Sequence, residues 1–179
     1  MKNIARNTLA YVGDVTLSQY VGSKKVKIGH VHNKGGKPLF DFLASCFTGD
    51  FATANTLLPR KIWLFEAEFN NDTIKDGTFK DHSTQGILSP ARKSDSTENA
   101  SSVRYSFSIP YTYITSLDTF EHAYIGLYTE HEENPDNYLA YFSLSTLNRS
   151  LFLNTALVID WELQVTNDST NYEEVEAVK

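Results

Sequence analysis

The sequence predicts an all-β protein, a jelly-roll-like antiparallel β-sandwich with one amphipathic helix at about 38–48, on three observations. The first is the run Leu157, Ile159, Trp161, Leu163, Val165, large apolar residues at strict two-residue spacing with Asp160, Glu162 and Gln164 between them. Successive side chains leave a strand on opposite faces, so such a run places one face in a core and the other in solvent. The second is the return of that period at Val103, Tyr105, Phe107, Ile109 and at Ala123, Ile125, Leu127. The third is composition: 11 Phe and 10 Tyr against a single Met favour pleated surfaces over helices.

From Thr8 to Tyr20 the chain reads as a strand pair or an extended arm, with Gly13-Asp14 as the turn between Tyr11-Val12 and Val15-Leu17. Lys25 to His32 alternates, with Val26, Ile28 and His30 on one face and Lys25, Lys27, Gly29 and Val31 on the other, and predicts a strand. Asn33-Lys34-Gly35-Gly36 breaks that pattern, and Pro38 suits the first turn of a helix, where its missing N–H needs no partner. Leu39, Phe42, Leu43 and Cys46 then fall at i, i+3, i+4 and i+7, with Phe40 and Phe47 widening the stripe and Gly49 in the place of a C-terminal glycine cap. A stripe this wide predicts a helix packed across an open face or end of the sandwich. On that reading Phe42→Ala removes a buried ring at about 3–5 kcal/mol, while Lys37→Ala costs little.

After a connector closed by Pro59, Lys61 to Phe69 is apolar on both faces, which predicts a central strand or one beneath the helix. Asn70 to Asp76 reads as a polar turn and Gly86 to Ser89 as a short strand. Pro90 to Ser102, rich in Ser, Lys, Asp and Asn, follows neither period and predicts a long mobile loop. The Val103 to Ile109 strand ends at Pro110, and Tyr111 to Ile114 continues it or forms a separate short strand. His122 to Thr129 and Tyr138 to Ser145 flank an acidic segment, Glu130 to Asn137, and predict a hairpin with a long tip. Asn148 to Asn154 is a turn region, and the Leu157 strand closes the sheet.

The chain of 179 residues suits one domain, a sandwich over 1–166 followed by an acidic polar tail over 167–179. A net charge of −6 argues against nucleic acid as a partner, because phosphate binding needs a basic face. No apolar run approaches membrane-spanning length and the first residues lack the layout of a signal peptide, so no membrane partner is predicted. The single Cys46 cannot form an internal disulfide, which suits synthesis in a reducing cytoplasm. The Asn-x-Ser/Thr triplets at Asn71, Asn99, Asn148 and Asn167 therefore read as loop polarity.

Candidate chemistry is sparse. His30 and His32 lie two apart on one strand face, a spacing that two metal ligands can use, but His131 sits on a remote hairpin tip and no Cys or carboxylate neighbours the pair at metal-site spacing. The expectation is no metal and no cofactor. Glu66 with Glu68, and Asp160 with Glu162, share strand faces, whereas glycoside cleavage needs two carboxylates across a cleft. Cys46 on an apolar stripe reads as a small core residue, no Gly-x-Ser-x-Gly elbow occurs, and Asn33 to Pro38 lacks the Gly-Lys-Ser/Thr ending that grips phosphate. No catalytic residue is assigned, and the protein is expected not to be an enzyme. Tyr105, Tyr111, Tyr113, Tyr124, Tyr128, Tyr138 and Tyr141 combine area with a polar tip, which suits a subunit interface or a sugar-stacking surface. The first five are the interface candidates.

Lys27-Ile28-Gly29-His30, Asn33-Lys34-Gly35-Gly36, Leu39-Phe40-Asp41-Phe42-Leu43-Ala44, Gly49-Asp50-Phe51 and Leu58-Pro59-Arg60-Lys61-Ile62 form a series along the first third of the chain. With Tyr138-Leu139-Ala140-Tyr141-Phe142 and Leu157-Val158-Ile159-Asp160-Trp161, this series resembles small β-rich virion proteins of tailed bacteriophages, including those of the crAss-like gut phages. The resemblance implies a non-enzymatic auxiliary capsid or decoration protein, or a collar or tail-ring component. It also implies a virion location after synthesis in the host cytoplasm, and partners that are further copies of the chain in a symmetric oligomer and other virion proteins. It carries no site residues. The alternative expectation is a carbohydrate-binding or receptor-binding β-sandwich module that uses the loops at one end.

Overall fold

The computed structural model describes residues 8–71, 73–82, 91–96, 100–117, 119–129, 134–147 and 155–168. Along the chain come β1 (Thr8–Val21), β2 (Lys24–His32), β3 (Lys34–Gly35), α1 (Lys37–Thr48), α2 (Phe51–Thr56), β4 (Lys61–Glu66), β5 (Phe69–Asn70) and β6 (Thr73–Ile74). There follow β7 (Lys80–Asp81), β8 (Ala91–Ser96), β9 (Ala100–Ile109), α3 (Tyr111–Thr115), β10 (Ala123–Tyr128), β11 (Ala140–Ser143) and β12 (Leu157–Asp168). Two five-stranded antiparallel sheets result, ordered β2-β1-β12-β9-β8 and β3-β11-β10-β4-β7, with β5 and β6 as a separate small hairpin. Among the described residues no helix is long and apolar enough to cross a membrane.

The fold is an antiparallel β-sandwich. Its core lies between the sheets, where Val15, Leu17, Tyr105, Phe107, Ile109, Leu157, Ile159, Trp161 and Leu163 of the first sheet meet Ile62, Leu64, Ala123, Ile125, Leu127, Ala140 and Phe142 of the second. The period-two runs of β9, β10 and β12 thus bury the side they predict. Trp161 is fully buried at the centre of β12, edge-on to Phe142 across the sandwich at 5.2 Å between ring centroids. Its indole N–H donates to Asn33 Oδ1 at 3.1 Å.

Asn33 reaches that position because Gly13 leaves room for it. A Cβ on Gly13 would lie 1.7 Å from Asn33 Oδ1. Gly13 therefore serves close approach inside a strand, and the predicted turn at Gly13-Asp14 does not form. The Asn33 backbone N–H in turn donates to the Gly13 carbonyl at 3.1 Å. β1 runs unbroken as one long strand, paired with β12 from Thr8 opposite Asp168 to Gln19 opposite Leu157. Neither a strand pair nor an arm exists there, and β12 is the middle strand of its sheet rather than its edge.

The remaining differences have local causes. In β2, Leu17 faces Gly29 while Ser18 faces Lys27, so Ile28 is an extra residue in a bulge. The bulge flips the alternation, which lets both Ile28 and Val31 pack on the main core despite their odd separation. Much of the predicted loop at Pro90 to Ser102 is instead the β8–β9 hairpin, paired from Ala91 opposite Ser106 to Ser96 opposite Ser101. Ladder hydrogen bonds come from the backbone, and an edge strand tolerates a polar sequence. Tyr111 to Ile114 forms a helical turn, not a strand, because Pro110 (φ −55°) ends β9 and starts α3. The short strand predicted at Gly86 to Ser89 and the turn at Asn148 to Asn154 lie outside the described residues, as do 169–179 of the tail.

The helix forms where predicted. Pro38 sits in its first turn, and Gly49 caps it in the left-handed conformation at φ 76°. It is one of three among the described residues, however, and its chief packing partner is α2 and not a sheet. Leu39 is its one buried residue, Phe42, Leu43 and Cys46 are half-buried, and Phe40 and Phe47 stand in solvent. Half-burial removes the basis for a loss of 3–5 kcal/mol on Phe42→Ala. The two-faced strand at Lys61 is nevertheless covered on its outer side. Trp63, Phe65 and Ala67 pack there with Phe69, Ile74, Phe79 and Tyr124.

Candidate functional site

The outer face of the first sheet gathers most of the exposed chemistry. Asp14 and Thr16 alternate with the core residues Val15 and Leu17, so both point outward from β1. In the antiparallel register Asp14 stands opposite His32 of β2 and Glu162 of β12, and Thr16 stands opposite His30 and Asp160. Glu162 pairs in turn with Arg104 and Asp160 with Ser106 on β9. Two rows of polar residues therefore cross four strands. Asp14, Thr16, His30, Arg104, Asp160 and Glu162 line an open depression of about 310 Å³.

Most carboxylates in these rows have partners. Asp160 takes Lys25 Nζ on Oδ2 at 2.5 Å and Ser106 Oγ on Oδ1 at 2.8 Å. Glu162 takes Arg104 at 2.6 Å, and this hydrogen bond holds its carboxyl below the usual carboxylate range. A depressed carboxyl stabilises the fold above its ordinary pKa, and that contribution disappears as pH falls through the lowered value. Both side chains are partly solvated, so Arg104→Met should cost about 0.2–1 kcal/mol at neutral pH and flatten the acid limb of the stability profile. Urea melts from pH 3 to 7 measure both effects.

Asp14 is different. Its Oδ1 is buried and has no hydrogen-bond partner, yet it lies 2.6 Å from His32 Nδ1 and 3.5 Å from His30 Nε2. The two imidazoles are edge-on to each other at 5.4 Å between centroids. The carboxylate missing from the sequence spacing of His30 and His32 is thus supplied by the neighbouring strand. A Gly-Asp pair read as a turn concealed it. Once β1 is continuous, the alternation of Val15 and Leu17 inward is the signal that places Asp14 beside the histidines.

A second cluster joins Glu66 to His82 and Ser116, two polar residues the sequence pattern did not single out. His82 Nε2 lies 2.8 Å from Glu66 Oε2, and His82 Nδ1 lies 3.0 Å from Ser116 Oγ. Serine, imidazole and carboxylate in line can form a nucleophilic triad. Here, however, the Ser116 hydroxyl donates to the Tyr113 carbonyl at 2.6 Å, so its single proton is committed to the end of α3. Glu66 Oε1 also accepts from the Thr119 backbone N–H at 3.3 Å. The cluster ties the end of β4 to the segment following α3, and its buried His82 and Glu66 satisfy one another. Glu66 and Glu68 thus have different partners, since Glu68 pairs with Lys75 at the surface.

The tyrosine candidates are mostly inside. Tyr105 belongs to the main core, and Tyr111 and Tyr113 pack partly against it. Tyr128 is fully buried, with its hydroxyl donating to the Pro135 carbonyl at 2.6 Å. Tyr124 is half-buried among Phe65, Phe69 and Tyr141. Tyr138 and Tyr141 complete this aromatic layer on the outer side of the second sheet, where Phe69 stacks on Tyr141 at 5.0 Å. Tyr105 and Tyr128 thus offer no surface to a partner, and the seven rings form no exposed sugar platform. Among the described residues, the most exposed aromatic rings are instead on the helices, at Phe40 (57%), Phe47 (69%) and Phe51 (71%). Comparison of the chain with protein-family models, with curated proteins and with solved structures returns no match.

Proposed function

We propose that this chain is a non-enzymatic structural component of a tailed-phage particle, of the auxiliary-capsid, collar or tail-ring kind, working through repeated contacts with copies of itself and with neighbouring particle proteins. The observation that carries the reading is the exposed apolar surface of α1 and α2. Phe40 and Phe47 are seven residues apart and share one side of α1, and Phe51 opens α2 just beyond the Gly49 cap. Three phenylalanines in solvent are costly for an isolated chain and useful in an assembly, where each Å² of apolar area withdrawn from water contributes about 25 cal/mol before association costs.

Charge favours a second copy as the occupant. The chain carries −6 overall, so most contacts between copies oppose like charges. Between Lys37 and Thr56 the charged residues are only Lys37, Asp41 and Asp50, and Lys37 pairs with Asp41. The helical pair is therefore a weakly charged place at which copies can meet. Tyr20, Val21 and Val26, exposed around the β1–β2 turn, add a second apolar group for other neighbours.

Sedimentation of the purified chain should show a concentration-dependent oligomer that becomes monomeric in the Phe40→Ser, Phe47→Ser, Phe51→Ser triple variant. Mass spectrometry of purified particles should find the chain at a copy number set by particle symmetry. A chain that stays monomeric at all concentrations and is missing from particles would sink the proposal.

A further inference from the structure

We propose that Asp14, His30 and His32 form a binding site for one borderline divalent transition-metal ion, with Zn2+ as its representative. The ligand atoms of the three residues all lie within 4.8 Å of one another. Two imidazole nitrogens and a carboxylate oxygen are the donor set that suits zinc, nickel or copper and not magnesium or calcium, which prefer all-oxygen shells. The inference is independent of the particle role proposed above, since it rests on the outer sheet face and not on the helices.

Geometry distinguishes a metal site from an ordinary ion pair. Zinc bonds of 2.0–2.2 Å in a tetrahedral shell set neighbouring donor atoms about 3.3 Å apart. The His30 Nε2 to Asp14 Oδ1 separation of 3.5 Å already matches that edge. The His32 Nδ1 to Asp14 Oδ1 separation of 2.6 Å must open by several tenths of an ångström, and the His32 side chain, 76% exposed, is free to move outward. At 2.6 Å the contact has the length of a hydrogen bond without its alignment, which leaves Oδ1 buried and unsatisfied. Attraction to a cation has no such angular demand at the oxygen, so an ion between the three donors satisfies the atom that the protein leaves orphaned.

The surroundings leave these three donors as the set. Asp160 is held by Lys25 and Ser106, and Glu162 by Arg104. Those carboxylates are engaged by cations of the protein, whereas Asp14 makes its close contacts with the two imidazoles. Three protein ligands leave a fourth position of the tetrahedron for solvent. β2 is the edge strand of its sheet, and the ion would bridge it to β1 next to the point where Asp14 and His32 are paired. Loading the site should therefore protect that edge.

The test is titration of the full chain with Zn2+ by calorimetry and with Co2+ by visible absorption. Expected are one ion per chain, the intense d–d bands of tetrahedral Co2+, and a thermal midpoint that rises by several degrees with Zn2+. His30→Ala, His32→Ala and Asp14→Asn should each weaken binding about tenfold or more and abolish the thermal shift. His122→Ala, on the other sheet's connection, should change neither. Both histidines are at the surface, so these variants fold, which their melts without metal verify. The proposal is overturned by binding that is not saturable, by binding that survives the loss of both histidines, or by Mg2+ or Ca2+ competing on equal terms with Zn2+.

Discussion

Trp161→Ala is expected to lower the unfolding free energy by about 3–5 kcal/mol, with the midpoint of a urea melt falling at nearly constant slope. Three losses combine at this position. The ring is fully buried in the middle strand of the first sheet, so its removal leaves a cavity between the sheets where Phe142 loses its edge contact. Loss of the indole N–H also removes one hydrogen bond to Asn33 Oδ1 at the point where Asn33 crosses Gly13. Trp161→Phe separates the terms: it keeps most of the volume and should recover most of the stability. The part not recovered reports the hydrogen bond, about 1 kcal/mol. Equal losses for Ala and Phe would show that polar satisfaction, not volume, dominates there.

Gly36→Ala is expected to cost about 3 kcal/mol, at the upper end of what overpacking does. A Cβ at Gly36 would stand 2.0 Å from the Tyr138 carbonyl oxygen, and a backbone atom cannot rotate aside as a side chain does. Gly36 also donates its N–H to the Leu139 carbonyl at 2.8 Å, so displacing it frees β3 from β11 and loosens the start of α1. Gly49→Ala is the instructive comparison. Its φ of 76° is strained for an L residue, but a Cβ there meets nothing within 4 Å, so its cost should be only about 1 kcal/mol. Denaturant melts of the two variants tell steric from conformational demand. Equal small losses would show that β3 is not held against β11.

Where side-chain alternation reports burial, the sequence was legible. β9 and β12 have solvent on one side and core on the other, so their period of two survives in the residues themselves, and β10 keeps its inward run Ala123, Ile125, Leu127 beneath an aromatic outer face. The α1 cap was legible for a similar reason, since Pro38 and Gly49 act through local backbone geometry alone. What stayed hidden depends on partners distant in sequence. Gly13 looks like a turn because the side chain that needs its space, Asn33, arrives from another strand. The hairpin partner of β9 looks like a loop because an edge strand is held by its neighbour's backbone and needs no apolar pattern. The burial of Tyr128 and Tyr141 was equally invisible, because the cover over the second sheet is built from the β5–β6 hairpin and neighbouring rings. The same reason hid Asp14: cross-strand register, not spacing along the chain, brings it to His30 and His32.

The pairing of β1 with β12 has a consequence in time. The first strand of the described chain finds its partner in the last, over twelve consecutive register positions. During synthesis β1 and its hairpin partner β2 emerge early, with one edge of β1 left open until β12 clears the ribosome. Closing so long a loop late makes for slow folding, because the entropy of bringing the ends together is lost before the contacts that repay it form. The first sheet cannot be completed until β12, which lies between β1 and β9, has been made.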